Sequence, residues 1–237
     1  MSCALTWLDA DVVAVQEVKD EGALAGLGAW KHVMDSCPDD GRGHLALLWN
    51  DDRVDVVARY DEPRVNPLGG CAGRLRPGLS AHVRARRGGL DLSIVDVHLD
   101  SGREARDRRH RRDGVLALGA VVAGLVLRTN DPDVVVLGDF NAMGADSPRI
   151  SAAEELAGMD DDVQGSLERI EGPSCSEYYR KEGSLLDLVY ATPSMRGALE
   201  VDGFCRSLGC APYRSEPAAY RSLSDHCPLV LDLPAPR

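Results

Sequence analysis

Short apolar runs bounded by turn residues recur along the chain and predict a protein built largely of strands. They occupy residues 11–18, 44–50, 53–60, 79–86, 90–99, 133–140, 185–192 and 227–233. Runs of this length that are rich in β-branched residues are typical of strands in a buried sheet. The turn sequences Asn50-Asp51-Asp52 and "RGGLDL" each separate two such runs, which predicts two antiparallel hairpins.

Helical periodicity is clearest in residues 103–128, where Val115, Leu118, Val122 and Leu125 fall on one face of a helix. Shorter helical patterns lie in residues 20–29 and 151–157, and residues 141–183 are polar and irregular, which predicts a loop region. Hairpins mixed with helices favour an α/β sandwich with two mixed, largely antiparallel sheets. The chain has neither the Gly-x-Gly-x-x-Gly motif nor the phosphate-binding loop that marks nucleotide-binding folds.

The length of 237 residues suits a single domain over residues 1–237. No apolar run approaches the roughly 20 residues that span a bilayer, so no transmembrane segment is expected. The first residues lack the basic start and long apolar stretch of a secretory signal. These features together predict a cytoplasmic protein.

The seven cysteines, at positions 3, 37, 71, 175, 205, 210 and 227, are odd in number and show no C-x-x-C spacing. Paired spacings are the usual mark of a zinc site, and an even count is the usual mark of a disulfide framework. The pattern therefore predicts neither. We expect these residues to be small buried apolar side chains.

The formal net charge of −11 disfavours sequence-independent binding to a nucleic acid backbone. A local basic cluster exists at the start of the long predicted helix, at Arg103, Arg106, Arg108, Arg109, Arg111 and Arg112. We interpret this cluster as a solvated helix start, with a phosphate-steering surface as the alternative.

Polar residues stand where several of the predicted strands end or begin. The strand "VVVLGDFNAMG" ends in Asp139 and Asn141, which on their own are also explained by a turn that closes the strand. Other strands contribute similar positions, at Glu17, His98, Asp187, Asp225 and His226. One buried polar residue is common, but polar residues from five separate strands are hard to attribute to packing. We therefore expect them to converge on a single site.

These residue types favour one class of chemistry. Carboxylate and amide oxygens without cysteine suit Mg²⁺ or Mn²⁺ better than zinc or copper, and histidines serve as acids or bases near neutral pH. A divalent cation held by carboxylates and accompanied by two histidines is suited to hydrolysis of a phosphate ester.

Five stretches in order, "DADVVAVQEV", "VDVHL", "GDFNA", "LLDLVYAT" and "SDHCPL", make the chain resemble the endonuclease/exonuclease/phosphatase superfamily over residues 9–233. The resemblance implies a four-layered α/β sandwich and a divalent-metal-dependent hydrolase of phosphate esters. The implied substrate is a phosphorylated small molecule, a lipid headgroup or a nucleic acid. The alternative is a catalytically degenerate member that binds a phosphorylated ligand or a protein.

The resemblance also implies roles for residues near the metal. It makes Glu17 the main metal carboxylate and Asp225 a further acid on the metal side. Asp139 would orient the attacking water, and Asn141 would hold a phosphate oxygen.

The histidines receive roles by the same resemblance. His226 would contact the scissile phosphate and Asp187 would orient it, an arrangement that fixes the ring and its tautomer. His98 matches a histidine of the deoxyribonuclease and sphingomyelinase branches.

The chain departs from the family pattern near its start. Members usually begin with a strand that carries an asparagine 25 or more residues before the Gln-Glu pair, whereas "ALTW" lies only nine residues before Gln16. We expect the first strand to be missing or truncated, or the true start to lie upstream. A missing strand would leave an incomplete sheet edge through which the chain would self-associate. In addition, Gly43 and His44 stand where deoxyribonuclease-like members place a glutamate.

Overall fold

The computed structural model describes residues 2–24, 27–218, 220 and 223–234. Its helices are α1 (Ser2–Leu8), α2 (Ala105–Thr129), α3 (Ala152–Val163) and α4 (Gly203–Leu208). Its strands are β1 (Val12–Val18), β2 (Trp30–Met34), β3 (His44–Asn50), β4 (Val54–Glu62), β5 (Gly78–Ala85), β6 (Asp91–His98), β7 (Val134–Asp139), β8 (Ala145–Asp146), β9 (Arg149–Ile150), β10 (Glu168–Arg169), β11 (Glu177–Tyr179), β12 (Glu182–Ser184), β13 (Asp187–Ala191), β14 (Ala198–Val201) and β15 (Leu229–Asp232). None of these helices is both long and apolar enough to cross a membrane.

The central sheet has six strands in the order β10-β13-β7-β6-β5-β4. Strands β6 and β7 are parallel, and every other neighbouring pair is antiparallel. A parallel pair needs a long crossover, which α2 supplies between β6 and β7. The predicted α/β fold with mixed, largely antiparallel sheets is confirmed.

Two apolar cores lie on the two faces of this sheet. On one face, α2 and α3 pack against it, and the helical periodicity of Val115, Leu118, Val122 and Leu125 is confirmed because all four are buried. On the other face, the sheet packs against β3, whose Leu45 and Leu47 interdigitate with β5 and β6. Leu5 of α1 covers the far side of β3. The order of layers is therefore helix, sheet, sheet, helix.

One of the two predicted hairpins is wrong. The "RGGLDL" turn does join the antiparallel strands β5 and β6, but Asn50-Asp51-Asp52 joins β3 to β4, which lie in different sheets. β3 pairs instead with β1 and β2. Turn composition predicts where the chain reverses, but not which strand pairs with which. The strongly apolar β3 is stabilised most in the middle of a sheet, between two partners.

Three of the local predictions were incomplete. Strand β2, over Trp30–Met34, was not predicted. The helical pattern of 20–29 shortens to a 3₁₀ turn over Glu21–Ala23; residues 25 and 26 lie outside the described part of the chain. Residues 141–183, predicted as a loop region, contain several short strands, whereas the helical pattern of 151–157 falls largely within α3, as expected.

An apolar cleft of about 390 Å³ separates β1 from β15. Val12 and Ala14 line one side of it and Leu229 and Leu231 the other. In the described residues β1 pairs with β3 alone and β15 with β14 alone, so both strands turn an open edge to the cleft. Residues 2–8 form α1, whose Leu8 lines the cleft. In the described residues no strand precedes β1.

The prediction that the cysteines are unpaired is wrong. Three disulfides join Cys37 to Cys71, Cys175 to Cys210 and Cys205 to Cys227, with Cα atoms 5.5–6.0 Å apart. The partners are separated by 22 to 35 positions along the chain, a spacing that identifies no pair, and only the fold brings their Cα atoms within bonding range. The seventh cysteine, Cys3, has a side chain outside the described part of the structure.

Candidate active site

Three neighbouring strands bring His98, Asp139 and Asp187 together at one edge of the central sheet. In the parallel pair, His98 at the end of β6 lies opposite Asp139 at the end of β7. In the antiparallel pair, Asp187 at the start of β13 also lies opposite Asp139. His98 Nε2 is 3.4 Å from Asp139 Oδ2. Strand pairing alone thus places these polar groups side by side.

The turn after β7 holds Asp139 in one orientation. Asp139 Oδ1 accepts a hydrogen bond from the backbone N–H of Asn141 at 2.9 Å, and Oδ2 accepts one from Asn141 Nδ2 at 3.0 Å. The second hydrogen of Nδ2 goes to the Leu99 carbonyl oxygen at 3.0 Å. In this arrangement the Asn141 amide orients the carboxylate, and both of its donor hydrogens are used.

Glycine is required at position 138, immediately before Asp139. Its φ of 133° lies outside the range that residues with a side chain adopt readily. A Cβ there would also overlap the Val97 carbonyl oxygen of the neighbouring strand. Gly138 therefore permits the close approach of β6 and β7 that sets Asp139 beside His98.

His226 joins the site from the loop before β15. Its Nδ1 is 2.7 Å from Asp187 Oδ2, so the carboxylate accepts the Nδ1 proton and leaves Nε2 directed elsewhere. Two disulfides brace this region, because Cys227 follows His226 directly and Cys175 precedes β11, which forms a bridge to His226. Sequence analysis missed Glu177 of β11, which lies opposite His226 in this bridge. Glu177 is buried and accepts a hydrogen bond from Ser184.

The pKa values of Asp139 and His226 are both raised, for different reasons. Burial, followed by the negative charge of Asp187, raises the pKa of Asp139 to about 7. Burial lowers the pKa of His226, but the hydrogen bond to Asp187 and the charges of Asp139 and Glu177 outweigh it and raise this pKa to about 9. At neutral pH the site therefore holds a protonated His226 and an Asp139 close to its titration midpoint. Such a pairing is suited to proton transfer.

His98 differs from His226 in its surroundings. Burial lowers the pKa of His98, and the negative charges of Glu17 and Asp187 only partly oppose this. The imidazole is therefore neutral at pH 7. Position 43 admits no side chain, because a Cβ on Gly43 would overlap the Glu17 backbone, and the buried His44 is paired with Asp35.

Glu17 lies in a strained segment of β1. Its φ is +58°, and the pairing of β1 with β3 shifts register between Val15 and Val18. Non-glycine residues in this region of φ are uncommon and are concentrated at functional sites. The distortion turns Glu17 out of the strand, where its exposed side chain lines a cavity together with His98.

Asp225 is exposed and precedes His226 in the chain. Its backbone carbonyl accepts a hydrogen bond from Tyr178 N at 3.1 Å, which fixes the loop against β11. Five of the seven predicted site residues are neighbours in the structure, through strand pairing or hydrogen bonds. They are His98, Asp139, Asn141, Asp187 and His226. Glu17 lies beside them across the cavity, and Asp225 is adjacent to His226 along the chain.

The donor chemistry of the site fits a hard divalent cation. Glu17 and Asp225 offer carboxylate oxygens and the neighbouring cysteines are all in disulfides. A bound cation would also favour the ionised form of Asp139, whose pKa is raised by burial and by the charge of Asp187. In the part of the chain that is described, however, the only close group of three metal-binding side chains is His82, Asp91 and Asp131, with ligand atoms within 4.8 Å. That group lies at the opposite end of β6 from His98.

Arg111 was predicted to belong to a solvated helix start, and this is wrong. Its side chain has no exposed surface and forms two hydrogen bonds of 2.9 Å to the carboxylate of Glu155 in α3. It also donates to the carbonyl oxygens of Asp100, Gly102 and Gly144. The loops that follow His98 and Asn141 are therefore held together by this one guanidinium. Periodicity does not distinguish it from its exposed neighbours.

Behind the site, Asp96 of β6 is fully buried and accepts a hydrogen bond from Gln16 Nε2 at 2.6 Å. Its Oδ2 is buried without a hydrogen-bond partner among the described residues. Burial outweighs the hydrogen bond from Gln16 and raises the pKa of Asp96 well above its ordinary value. The folded state therefore favours the protonated carboxyl.

We expect Asp96→Asn to change how stability depends on pH. Because the pKa of Asp96 is higher in the folded than in the unfolded chain, its contribution to the free energy of unfolding falls as pH rises from about 4 through the folded-state pKa. Asparagine does not titrate, so the stability of the variant relative to the wild type should increase between about pH 5 and about pH 8. Urea denaturation at both pH values measures this difference. The exposed Asp55→Asn is the control, and a constant difference for Asp96→Asn would contradict the assignment.

The comparisons with known proteins agree with this geometry. Residues 4–226 match the model of the Endonuclease/Exonuclease/phosphatase family, whereas no curated protein sequence matches the chain. Among solved structures, an endonuclease/exonuclease/phosphatase from Bacteroides vulgatus is similar at 17% identity, with 99% of this chain and 88% of that chain covered and a TM-score of 0.70.

Two further structures show the same fold. A mannosyl-6-phosphatase from Bacteroides thetaiotaomicron has 17% identity and a TM-score of 0.66, with 98% of this chain and 88% of that chain covered. TDP2 from D. rerio, complexed with a single-strand DNA product, has 16% identity and a TM-score of 0.68, with 97% and 88% covered. At these identities the likeness concerns the fold.

Proposed function

Because the chain belongs to the endonuclease/exonuclease/phosphatase family, we propose that it is a divalent-metal-dependent hydrolase of phosphate esters. The observation that carries this proposal is the His226–Asp187 pair, with 2.7 Å between Nδ1 and Oδ2, set beside the strand-paired Asp139 and His98. A degenerate binding domain has no need of a buried carboxylate near its titration midpoint next to a protonated histidine. Members of the family are hydrolases that act on phosphate esters.

In the proposed mechanism Asp139 orients a water molecule and accepts its proton, which its pKa of about 7 allows near neutral pH. Asn141 holds Asp139 in position through its Nδ2, and its contact with a phosphate oxygen stays a prediction. His226, protonated and oriented by Asp187, stabilises the negative charge that develops on the phosphate oxygens. Neutral His98 donates or accepts a further hydrogen bond at the same phosphate.

Glu17 and Asp225 would hold the cation, for which Mg²⁺ and Mn²⁺ are the candidates. When bound, the cation neutralises charge on the phosphoryl oxygens and lowers the pKa of water.

Hydrolysis of bis(4-nitrophenyl) phosphate tests the proposal. We expect turnover with Mg²⁺ or Mn²⁺ and none in excess EDTA, since every proposed ligand is a hard oxygen donor. Glu17→Gln should abolish the metal response. Asp131→Asn, in the His82 group at the other end of the sheet, should preserve it. Undiminished turnover in EDTA would refute metal dependence, and binding of phosphorylated ligands without turnover would favour the degenerate alternative.

The proposal extends to the organisation of the chain. A single domain over residues 1–237 is supported by the family match across residues 4–226. Self-association is supported by the open edges of β1 and β15 on either side of the apolar cleft, because unpaired strand edges tend to pair with another chain. The three disulfides are typical of an oxidising compartment, so they weigh against the cytoplasmic location that the sequence suggests.

A further inference from the structure

A cavity of about 240 Å³ opens beside Glu17 and His98. Four basic side chains line it: Lys19, Arg42, Arg74 and Arg76. The acidic residues in the lining are Glu17 and Asp100, and Asp40 and Asp107 pair with the arginines from beside the cavity. We call this the basic pocket. Because His98 and Glu17 line it, the basic pocket adjoins the proposed catalytic groups.

Arg76 forms the buried base of the basic pocket. Its side chain is only 4% exposed. Nε donates to the Gly43 carbonyl oxygen at 2.9 Å, and Nη2 donates to Asp40 Oδ1 and the Arg42 carbonyl oxygen, both at 3.1 Å. Nη1 is buried and has no hydrogen-bond partner among the described residues. A buried unpaired donor of a charged group is costly. Because Nη1 has no exposed surface, Arg76 would act on an anion in the pocket through its positive charge.

The other arginines are oriented by carboxylates. Arg74 Nη2 donates to Asp100 Oδ1 at 2.6 Å and to the Ser101 carbonyl oxygen at 2.9 Å. Asp100 is itself buried and paired with His110 Nδ1 at 2.7 Å. Arg42 pairs with Asp40. Since each guanidinium has five N–H donors, these contacts hold the two side chains in place and leave donors for a ligand.

We propose that the basic pocket binds a second phosphate group of the substrate, so that the preferred substrate is a small molecule with two phosphates. This inference rests on the proposed function, with one phosphate hydrolysed beside Asp139 and the other held by Arg42, Arg74, Arg76 and Lys19. Guanidinium groups match the oxygens of phosphate in geometry and charge. The volume suits one phosphate group with part of its scaffold. The overall negative charge disfavours a long polyanion such as nucleic acid.

Calorimetric binding in EDTA tests the pocket separately from catalysis. The probes are fructose 1-phosphate against fructose 1,6-bisphosphate, and adenosine 5′-monophosphate against adenosine 3′,5′-bisphosphate. We expect at least one bisphosphate to bind about tenfold or more tightly than its monophosphate, in line with charge-assisted bonds to a second phosphate. The double variant Arg42→Gln/Arg74→Gln should remove that preference. Lys19→Gln should weaken it, and because Lys19 is exposed, this variant leaves the buried contacts of the chain intact.

Arg84→Gln is the matched control, because Arg84 is 56% exposed against 57% for Arg74 and is likewise paired with an aspartate, Asp91. It lies at the opposite end of the sheet and should leave the preference unchanged. Equal affinity for both members of each pair, or equal loss in the control, would overturn the inference. So would tighter, arginine-dependent binding of a single-stranded oligonucleotide, which would identify a nucleic acid groove.

The two proposals fail in different ways. Turnover of bis(4-nitrophenyl) phosphate without any preference for bisphosphates would refute the basic pocket and leave the hydrolase intact. An arginine-dependent preference in EDTA without turnover of any phosphate ester would refute the hydrolase and support the pocket.

Discussion

Replacing Asp139 with asparagine is expected to lower kcat by about a hundredfold or more, with a much smaller change in KM. The carboxylate is the group proposed to take a proton from water, and a group that acts in the transition state contributes to kcat and not to uniform binding. Asparagine has nearly the same shape but cannot accept that proton. Steady-state hydrolysis of bis(4-nitrophenyl) phosphate with Mg²⁺ or Mn²⁺ measures both constants.

The control for this variant is Asp146→Asn. Asp146 follows Asp139 by seven positions in an exposed segment, where it accepts a hydrogen bond from Arg103 Nε at 2.9 Å. It should leave kcat within about threefold, since exposed ion pairs contribute little. A folded Asp139→Asn protein with the turnover of the wild type would show that the carboxylate has no part in the chemistry.

Replacing Arg111 with methionine is expected to lower the free energy of unfolding by about 3–5 kcal/mol, because it leaves a buried carboxylate without its partner. The side chain of Glu155 is only 4% exposed, and both of its carboxylate oxygens accept hydrogen bonds from Arg111; Oε2 accepts a further one from Gly144 N. Three backbone carbonyls, at Asp100, Gly102 and Gly144, lose their donor in the same step. Urea denaturation at constant pH measures the change.

Arg112→Met is a closely matched control. Arg112 is the next residue of α2 and also forms a bidentate pair, with Asp162, but its side chain is 58% exposed. An exposed pair is worth about 1 kcal/mol or less. Adding Glu155→Leu to Arg111→Met should recover part of the lost stability, because the buried charge is then removed. Equal losses for Arg111→Met and Arg112→Met would mean that burial of the pair is unimportant.

Much of the candidate site follows from local sequence. Asp139, His98 and Asp187 stand at the ends of apolar strands, and strands that pair in register must bring their ends to one edge of the sheet. The glycine before Asp139 signals a backbone conformation closed to other residues. The catalytic and metal-binding roles of all seven residues stay predictions, and no described contact links the carboxylates of Glu17 and Asp225.

Contacts between segments that are distant in the chain could not be predicted from local sequence. Glu177 approaches His226 only because β11 and the loop before β15 form a bridge. The basic pocket combines Lys19 after β1, Arg42 before β3 and Arg74 before β5, which lie far apart in the chain. None of these positions breaks a hydrophobic pattern, so no local signal marks them.

The sequence by itself determined the amphipathic face of α2, the polar strand ends and the strands β1, β3, β4, β5, β6, β7, β13 and β15. These depend on the period of the backbone and on burial of apolar side chains. Only the tertiary structure decided the partners of β3, the three disulfides and the burial of Arg111. Each of these is a contact between residues remote in the chain. The free energy of such a contact depends on the distance between the two residues in the folded chain. That distance is set by the whole fold and does not follow from residue type or from spacing in the sequence.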